Sequence, residues 1–384
     1  TDTSSIFADD QYYYITSSSF PSYKILDGST VNEELLDQRI LRIIRKEATR
    51  TTEKYKTPNR DVGILLNGVP VYSFRDHDSI RFGKLEEIRI DTRGRGYATP
   101  PFVLIDQVPN KARAVLTGQV VERIIVDTQD VFPRTPDITI TSGRGAVVRA
   151  IVTGGKVTSL VIDNAGEFYS SPPIVRIRDN AGRGRFADFT AVVNTDGNIT
   201  GFEKNAEGNF YNQNTVIVDI IPVGEDATGI PLLKEWNFNR FEKIGNDLDT
   251  EYGYIFQNYN NALEYGYGHV GNPKALRVAL NDNINNAGTE PAEKTHSPII
   301  GFAYDGNPIY GSFGYENPLD SSSSIVRMTS SYSLNGTRKE GPSLSTYPLG
   351  SFNNDYTYTH KSGTLDQNNG RFCITPDFPQ GTYA

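Results

Sequence analysis

The sequence predicts a mainly β protein with little helix, built around a block of small repeated β modules. Three observations carry this expectation. First, a motif recurs at fixed spacing: IRIDTRGRGYATPP at 88–101, IIVDTQDVFPRTP at 124–136 and LVIDNAGEFYSSPP at 160–173, with Asp91, Asp127 and Asp163 each 36 residues apart. Self-similarity at this period is the signature of concatenated structural modules. Second, apolar residues come in short alternating runs broken by Gly, Pro, Asn and Asp, the pattern of half-buried strands and tight turns. Third, 35 Gly, 21 Pro and 22 Tyr stand beside a single cysteine, Cys373. That cysteine has no partner for an internal disulfide or a CxxC zinc site, so large packed sheets or tight subunit interfaces must stabilise the chain instead.

Length and charge bound the rest. With 384 residues, two or three domains are expected. The net charge of −8 and the lack of a Lys/Arg stripe argue against a nucleic-acid partner. No run approaches the roughly 20 apolar residues of a membrane span, so no membrane insertion is expected. The first residues have no basic-then-apolar leader pattern. Thr1 is not Met and Ala384 ends a patterned segment, which reads either as a processed chain or as an arbitrary boundary.

Three regions are expected: 1–85, 86–222 and 223–384. In the first, Thr30 and Glu33 have capping-box spacing, and Leu35, Leu36, Ile40, Ile43 and Ile44 fit one helical face. The Ile-rich core of 39–49 competes as a strand, and the strand is the expectation. Residues 61–74 read as two strands around Asn67-Gly68, a strong hairpin turn.

In 86–222, each module has one grammar. An alternating strand is followed by an Asp/Asn/Gly turn and an aromatic: Tyr97, Phe132, Tyr169, and Tyr211 in a decayed fourth copy at 201–216. Prolines then open a second strand (102–105, 137–140, 174–177), where no ladder donor is needed. A third strand closes the unit (112–117, 146–152, 189–193), with hairpin turns at Gly154-Gly155 and Asp196-Gly197. The recurring Asp is either a calcium ligand or a turn residue bonding its own backbone; one acid per module favours the turn.

After 235 the chain is loop-rich. Tyr and Asn crowd 252–267, 273–280 fits one or two helical turns, 299–311 reads as strand, turn, strand, and Ser321–Ser324 is a flexible surface run.

Several segments then become recognisable. VGILLNGVPVYS (62–73), HSPIIGFAYDGNPIYG (296–311) and LDQNNGRFCITPDFPQGTYA (365–384), with YITSSSFPSY (14–23) and Gly268-His269, resemble the YHYH domain. The resemblance is greatest to versions in virion structural proteins of phages that infect marine cyanobacteria, which also carry GYxxPP-type repeats like 94–101. It implies a β-rich domain split into 1–85 and 223–384, with the repeat unit 86–222 inserted. The Tyr-His-Tyr-His pattern itself is absent: Val270 is followed by NPKALR, and GTYA replaces the second histidine pair.

Candidate chemistry is sparse. His269, His296, Asp305 and Asp366 are the candidate ligands for a divalent metal, the one cofactor considered; the competing reading has them fixing loop backbone. No HExxH, GxSxG or helix-linked glycine-rich phosphate loop occurs, and Cys373 sits in an apolar alternating strand. No enzyme is expected, and no catalytic residue is named. Tyr254, Tyr259 and Tyr265 are candidates for a subunit interface or for stacking on sugar.

These readings give a structural virion protein of a tailed phage, in the tail, baseplate or a fibre, acting as an assembly scaffold and host-facing surface. Its expected partners are other virion proteins, copies of itself and a host surface glycan. A carbohydrate- or receptor-binding adhesin is the alternative, and a tail-associated polysaccharide hydrolase a third.

Overall fold

A computed structural model describes residues 3–21, 23, 37–48, 55–258, 261–292 and 294–384. The protein is mainly β, as expected, with two short α-helices among the described residues. It divides into two compact units: Thr1–Ile80 with Trp236–Lys339 and Ser343–Ala384, and Arg81–Glu235 with Glu340–Pro342.

The chain begins with an antiparallel sheet of β1 (Thr3–Ala8), β2 (Tyr12–Ser17) and β3 (Ile40–Arg45) in sequence order. The Ile-rich run is thus a strand. Ile44 is buried and its neighbour Ile43 exposed, the alternation of a strand and not of a helical face. The capping pair Thr30 and Glu33, with Leu35 and Leu36, lies outside the described residues. β4 (Asp61–Leu65) and β5 (Pro70–Tyr72) form the expected hairpin. Gly68 donates its N–H to the Leu65 carbonyl at 2.9 Å, and its φ of 84° explains why glycine follows Asn67.

The second unit is the repeat block. β6 (Arg75–Arg95), β7 (Phe102–Ile105), β8 (Val108–Thr117), β9 (Val120–Val126), β10 (Val131–Phe132), β11 (Ile138–Thr141), β12 (Arg144–Thr153), β13 (Lys156–Glu167), β14 (Ile174–Asp179), β15 (Arg185–Val193), β16 (Ile199–Asn209), β17 (Val216–Ile221) and β18 (Glu225–Asn239) follow in order. Consecutive strands form the hairpins β7–β8, β8–β9, β12–β13 and β15–β16. The strands that follow the prolines pair with each other: β7 with β11, and β14 with β17. β6 has no sequential hairpin partner and pairs with β18, so the first and last strands of the block close it.

One latch recurs at three strand pairs: β6–β18 and the open ends of the β12–β13 and β15–β16 hairpins. Tyr97, Tyr169 and Tyr211 lie nearly fully buried. Each ring covers a glycine of the partner strand: a Cβ at Gly224, Gly143 or Gly184 would stand 2.3, 2.1 or 2.2 Å from the ring. The hydroxyls of Tyr97 and Tyr211 accept the N–H of Ala227 (3.2 Å) and Ala187 (3.3 Å), and that of Tyr169 bonds the Ala146 amide. The fourth copy, decayed to the eye, therefore keeps its latch. The second copy departs, with Gln129 and Phe132 where the others have Gly and Tyr; Phe132 stays buried with Leu85, Val103 and Ile124.

The recurring Asp has neither of its expected roles. Asp127 pairs with Arg113 (3.2 Å) and Asp163 with Arg149 (2.9 Å) across their hairpins, while Asp91 accepts a hydrogen bond from Thr228 (3.3 Å).

The first unit then resumes with α1 (Arg240–Ile244), β19 (Gly253–Asn258), β20 (Asn261–His269), α2 (Lys274–Ala279), β21 (Ile299–Ala303) and β22 (Pro308–Tyr310). Its main sheet has the order β19-β20-β5-β4-β21-β22. Two strands from before the repeat block thus lie between strands from after it. Leu65, Leu276 and Ile300 form a core cluster. Trp236, Phe238, Tyr347 and Phe352 stack edge-on or tilted in another aromatic cluster. Among the described residues no helix is long and apolar enough to cross a membrane.

Candidate functional site

Polar groups converge at the end of β20. His269 closes that strand opposite Gly253 of β19 and beside Val71 of β5, and it is wholly buried. Its Nε2 lies 2.5 Å from the Tyr23 hydroxyl, which lies 3.1 Å from the Tyr267 hydroxyl. Tyr267 donates to Asp249 Oδ2, and Asp249 Oδ1 accepts the N–H groups of Glu251 and Gly253 at 2.8 Å each. Nδ1 of His269 faces the Glu251 and Tyr252 carbonyls without a hydrogen bond of good geometry.

Burial sets the protonation here. It pushes His269 down to about 4, against the pull of Asp249, and raises both Tyr23 and Tyr267. At neutral pH the imidazole and both phenols are therefore neutral. The cluster cross-links the Tyr23 segment, the 249–253 turn and β20. His269, Tyr267, Asp249 and Glu251 are buried, and Tyr23 is half-buried.

A second cluster surrounds α2. Arg277 is fully buried and donates through Nε to Asp282 and through Nη1 to Asn272 (2.9 Å), with Glu290 at 3.6 Å. Ser297 Oγ donates to Asp282 Oδ1 at 2.6 Å and accepts the Phe313 N–H at 3.1 Å. His296 is adjacent, but its Nδ1 bonds the Ser297 carbonyl (2.8 Å) and its ring packs on Tyr310 and Tyr315. Serine, histidine and aspartate thus meet without the order of a catalytic triad, because the serine hydroxyl bonds the carboxylate and not the imidazole.

The metal candidates are not brought together. Among the described residues no three His, Cys, Asp or Glu side chains gather as a metal site would. His269 is held by Tyr23, and His296 by its own loop. Asp305 accepts the Asn307 N–H (3.2 Å) in the β21–β22 turn. Asp366 accepts the Tyr383 hydroxyl (2.9 and 3.0 Å) and the Asn368 N–H (2.8 Å). These carboxylate oxygens accept hydrogen bonds from their own turns and, at Asp366, from Tyr383, the loop-fixing role that competed with metal binding.

The aromatic candidates change as well. Tyr254 is no free surface ring: it packs edge-on to Tyr72 and against Phe256, and its hydroxyl accepts from Arg240 at 3.0 Å. The ring's aromatic neighbours and the partner of its polar tip thus lie within the unit. Tyr259 and the Tyr265 side chain lie outside the described residues. Cys373 is buried, and burial pushes its thiol up, away from reactivity. The sequence did not single out Tyr23, Asp249, Arg277 or Asp282; Tyr267 and His269, two apart on one strand face, were the available signal.

Residues 204–384 match the model of the YHYH protein family. The chain carries a YHYH domain match over its last part. The match opens inside β16 and includes His269, Tyr267, Asp249 and the whole Arg277–Asp282 cluster, so both buried clusters are features of the YHYH region. Tyr23 and the β4–β5 hairpin, which complete that unit's contacts, lie before it. No curated protein and no solved structure matches the chain.

Proposed function

We propose that this protein is a structural component of a virion, an assembly scaffold in the tail, baseplate or a fibre of a tailed phage. The observation that carries the reading is the closure of the repeat block. β6 and β18 pair at its two ends, and buried Tyr–Gly latches fix that pairing and the β12–β13 and β15–β16 hairpins. A unit whose first and last strands pair with each other holds its shape without disulfides. The buried Tyr23–His269–Tyr267–Asp249 and Arg277–Asp282–Ser297 clusters do the same for the other unit, linking loops that are distant in sequence. The particle itself comes from the resemblance of the YHYH segments and GYxxPP repeats to those of virion proteins.

The test is stoichiometric mass spectrometry of purified particles, with density for this fold sought in their reconstruction. A fixed copy number per particle supports the scaffold. Absence from washed particles, or depolymerisation of a host polysaccharide by the purified chain, overturns it.

A further inference from the structure

The latch recurs three times with the same frame, so its copies can be compared position by position. One strand ends in Gly-x-z-Tyr (94–97, 166–169, 208–211), and its partner begins Gly-x-z-Ala (224–227, 143–146, 184–187). The x residues face each other across the paired strands. In two copies they form an ion pair: Arg95–Glu225 and Arg144–Glu167, each at 2.8 Å. In the third, Arg185 faces Asn209 and has lost its carboxylate.

The z residues all adopt left-handed backbone: Gly96 and Asp226, Phe168 and Gly145, Phe210 and Phe186, with φ between 61° and 78°. Glycine fills two of these seats, so the fold itself asks for no side chain there. A bulky L-residue in such a seat is strained by about 1–2 kcal/mol. Phe168 recovers this by packing on Phe102 (5.6 Å) and under Arg144 (5.3 Å). Phe186 and Phe210 do not: they are 80% and 74% exposed. Beside them Arg183 and Arg185 have no ion pair among the described residues. Asp179 holds this turn rigid by accepting the N–H groups of Ala181, Arg183 and Gly184 (3.1, 3.1 and 2.9 Å).

The β6–β18 end has the opposite character. Glu225 and Asp226 share one cation, Arg95 (2.8 and 3.4 Å), leaving a surplus acid, and where the other end has Phe210 it has Gly96. The β15–β16 latch thus carries two arginines without ion pairs among the described residues and two projecting rings; the β6–β18 latch carries two acids on one arginine and no ring at that seat.

The geometry points to a head-to-tail contact between copies of this chain, in which Arg183, Arg185, Phe186 and Phe210 of one copy dock on Glu225, Asp226 and Gly96 of the next. Arg144–Glu167–Phe168 shows within the molecule what satisfies such an arginine: a protein carboxylate with an aromatic ring alongside. Arginine and aromatic residues are the anchors that protein interfaces favour. The contact joins unlike surfaces, so it propagates into a ring or a filament and not a closed pair. It deepens the scaffold reading and rests on it, but it can fail alone.

Sedimentation velocity of the full chain over a concentration series tests it. The wild type should form salt-sensitive oligomers. Arg185→Glu and Asp226→Lys should each weaken association about tenfold or more, and the two together in one chain should restore it. Phe186→Gly should abolish oligomers while leaving the melting temperature unchanged or higher, since it relieves the strained seat; a merely structural residue would lower it. A wild type that stays monomeric, oligomers indifferent to these changes, or failed rescue by the double swap overturns the inference. So does binding of polygalacturonate that Phe186→Gly removes while the wild type stays monomeric. A monomeric chain that is still present at fixed copy number in particles sinks this contact and leaves the scaffold standing.

Discussion

The hydroxyl of Tyr97 accepts a hydrogen bond from the Ala227 amide at 3.2 Å, joining residues 130 positions apart. This bond locks β6 to β18 where the repeat block closes. Both groups are buried, so Tyr97→Phe leaves an N–H without an acceptor and should cost about 1–3 kcal/mol. Urea denaturation followed by tyrosine fluorescence checks this. Tyr211→Phe at the Ala187 amide should cost a similar amount, since the geometry is the same.

Glycines at positive φ should fall into two classes. Gly224 lies under the Tyr97 ring, where a Cβ would stand 2.3 Å from it; at Gly118, with φ of 62°, a Cβ would meet nothing within 4 Å. Gly118→Ala should therefore cost only the backbone strain, about 1–2 kcal/mol. Gly224→Ala should cost about 3 kcal/mol or more, because the ring must leave its site. Equal losses in thermal melts would show that the latch is not tight.

The same contrast explains what could be read in advance. The repeat was legible because Tyr97, Tyr169 and Tyr211 each follow a turn glycine (Gly94, Gly166, Gly208) by three residues, as the turn requires. Their partner glycines were not, because Gly143 and Gly224 matter only for the ring placed over them by another strand. Pairing of β6 with β18 leaves no local mark either. Tyr254 was visible as an aromatic, but composition does not say that Tyr72 and Phe256 cover it. Asp305 and Asp366 sit in recognisable segments, yet Asp305 turns back on its own loop and Asp366 is shared between its loop and Tyr383.

Arg338 and Asp355 are both essentially buried and form a forked pair, with Nε–Oδ1 at 2.7 Å and Nη2–Oδ2 at 2.6 Å. Burial works against the Asp355 charge, but Arg338 and the N–H groups of Phe352 and Gly350 outweigh it and hold the carboxyl below its ordinary value. Asp355→Ala should cost about 3–5 kcal/mol by stranding the guanidinium beneath Phe352. Arg338→Met with Asp355→Leu should be milder than either single change, because no lone charge remains. A double-mutant cycle by chemical denaturation decides this; additive losses would mean the pair is not coupled.

His269 supplies a pH dependence whose sign follows from its burial. Its folded value of about 4 lies below the 6.5 of an exposed imidazole. Between those values the unfolded chain takes up a proton that the folded chain refuses, so stability is full above about pH 6.5 and falls as pH drops toward 4. The loss over that window should reach about 3 kcal/mol, and below pH 4 this group adds no further slope. His296, also pushed down by burial, acts in the same direction. In His269→Gln, which replaces the titrating ring with a neutral amide, melting temperature should fall less steeply between pH 6.5 and 4, even if the variant starts lower. A slope unchanged by the substitution would place the acid sensitivity in other groups.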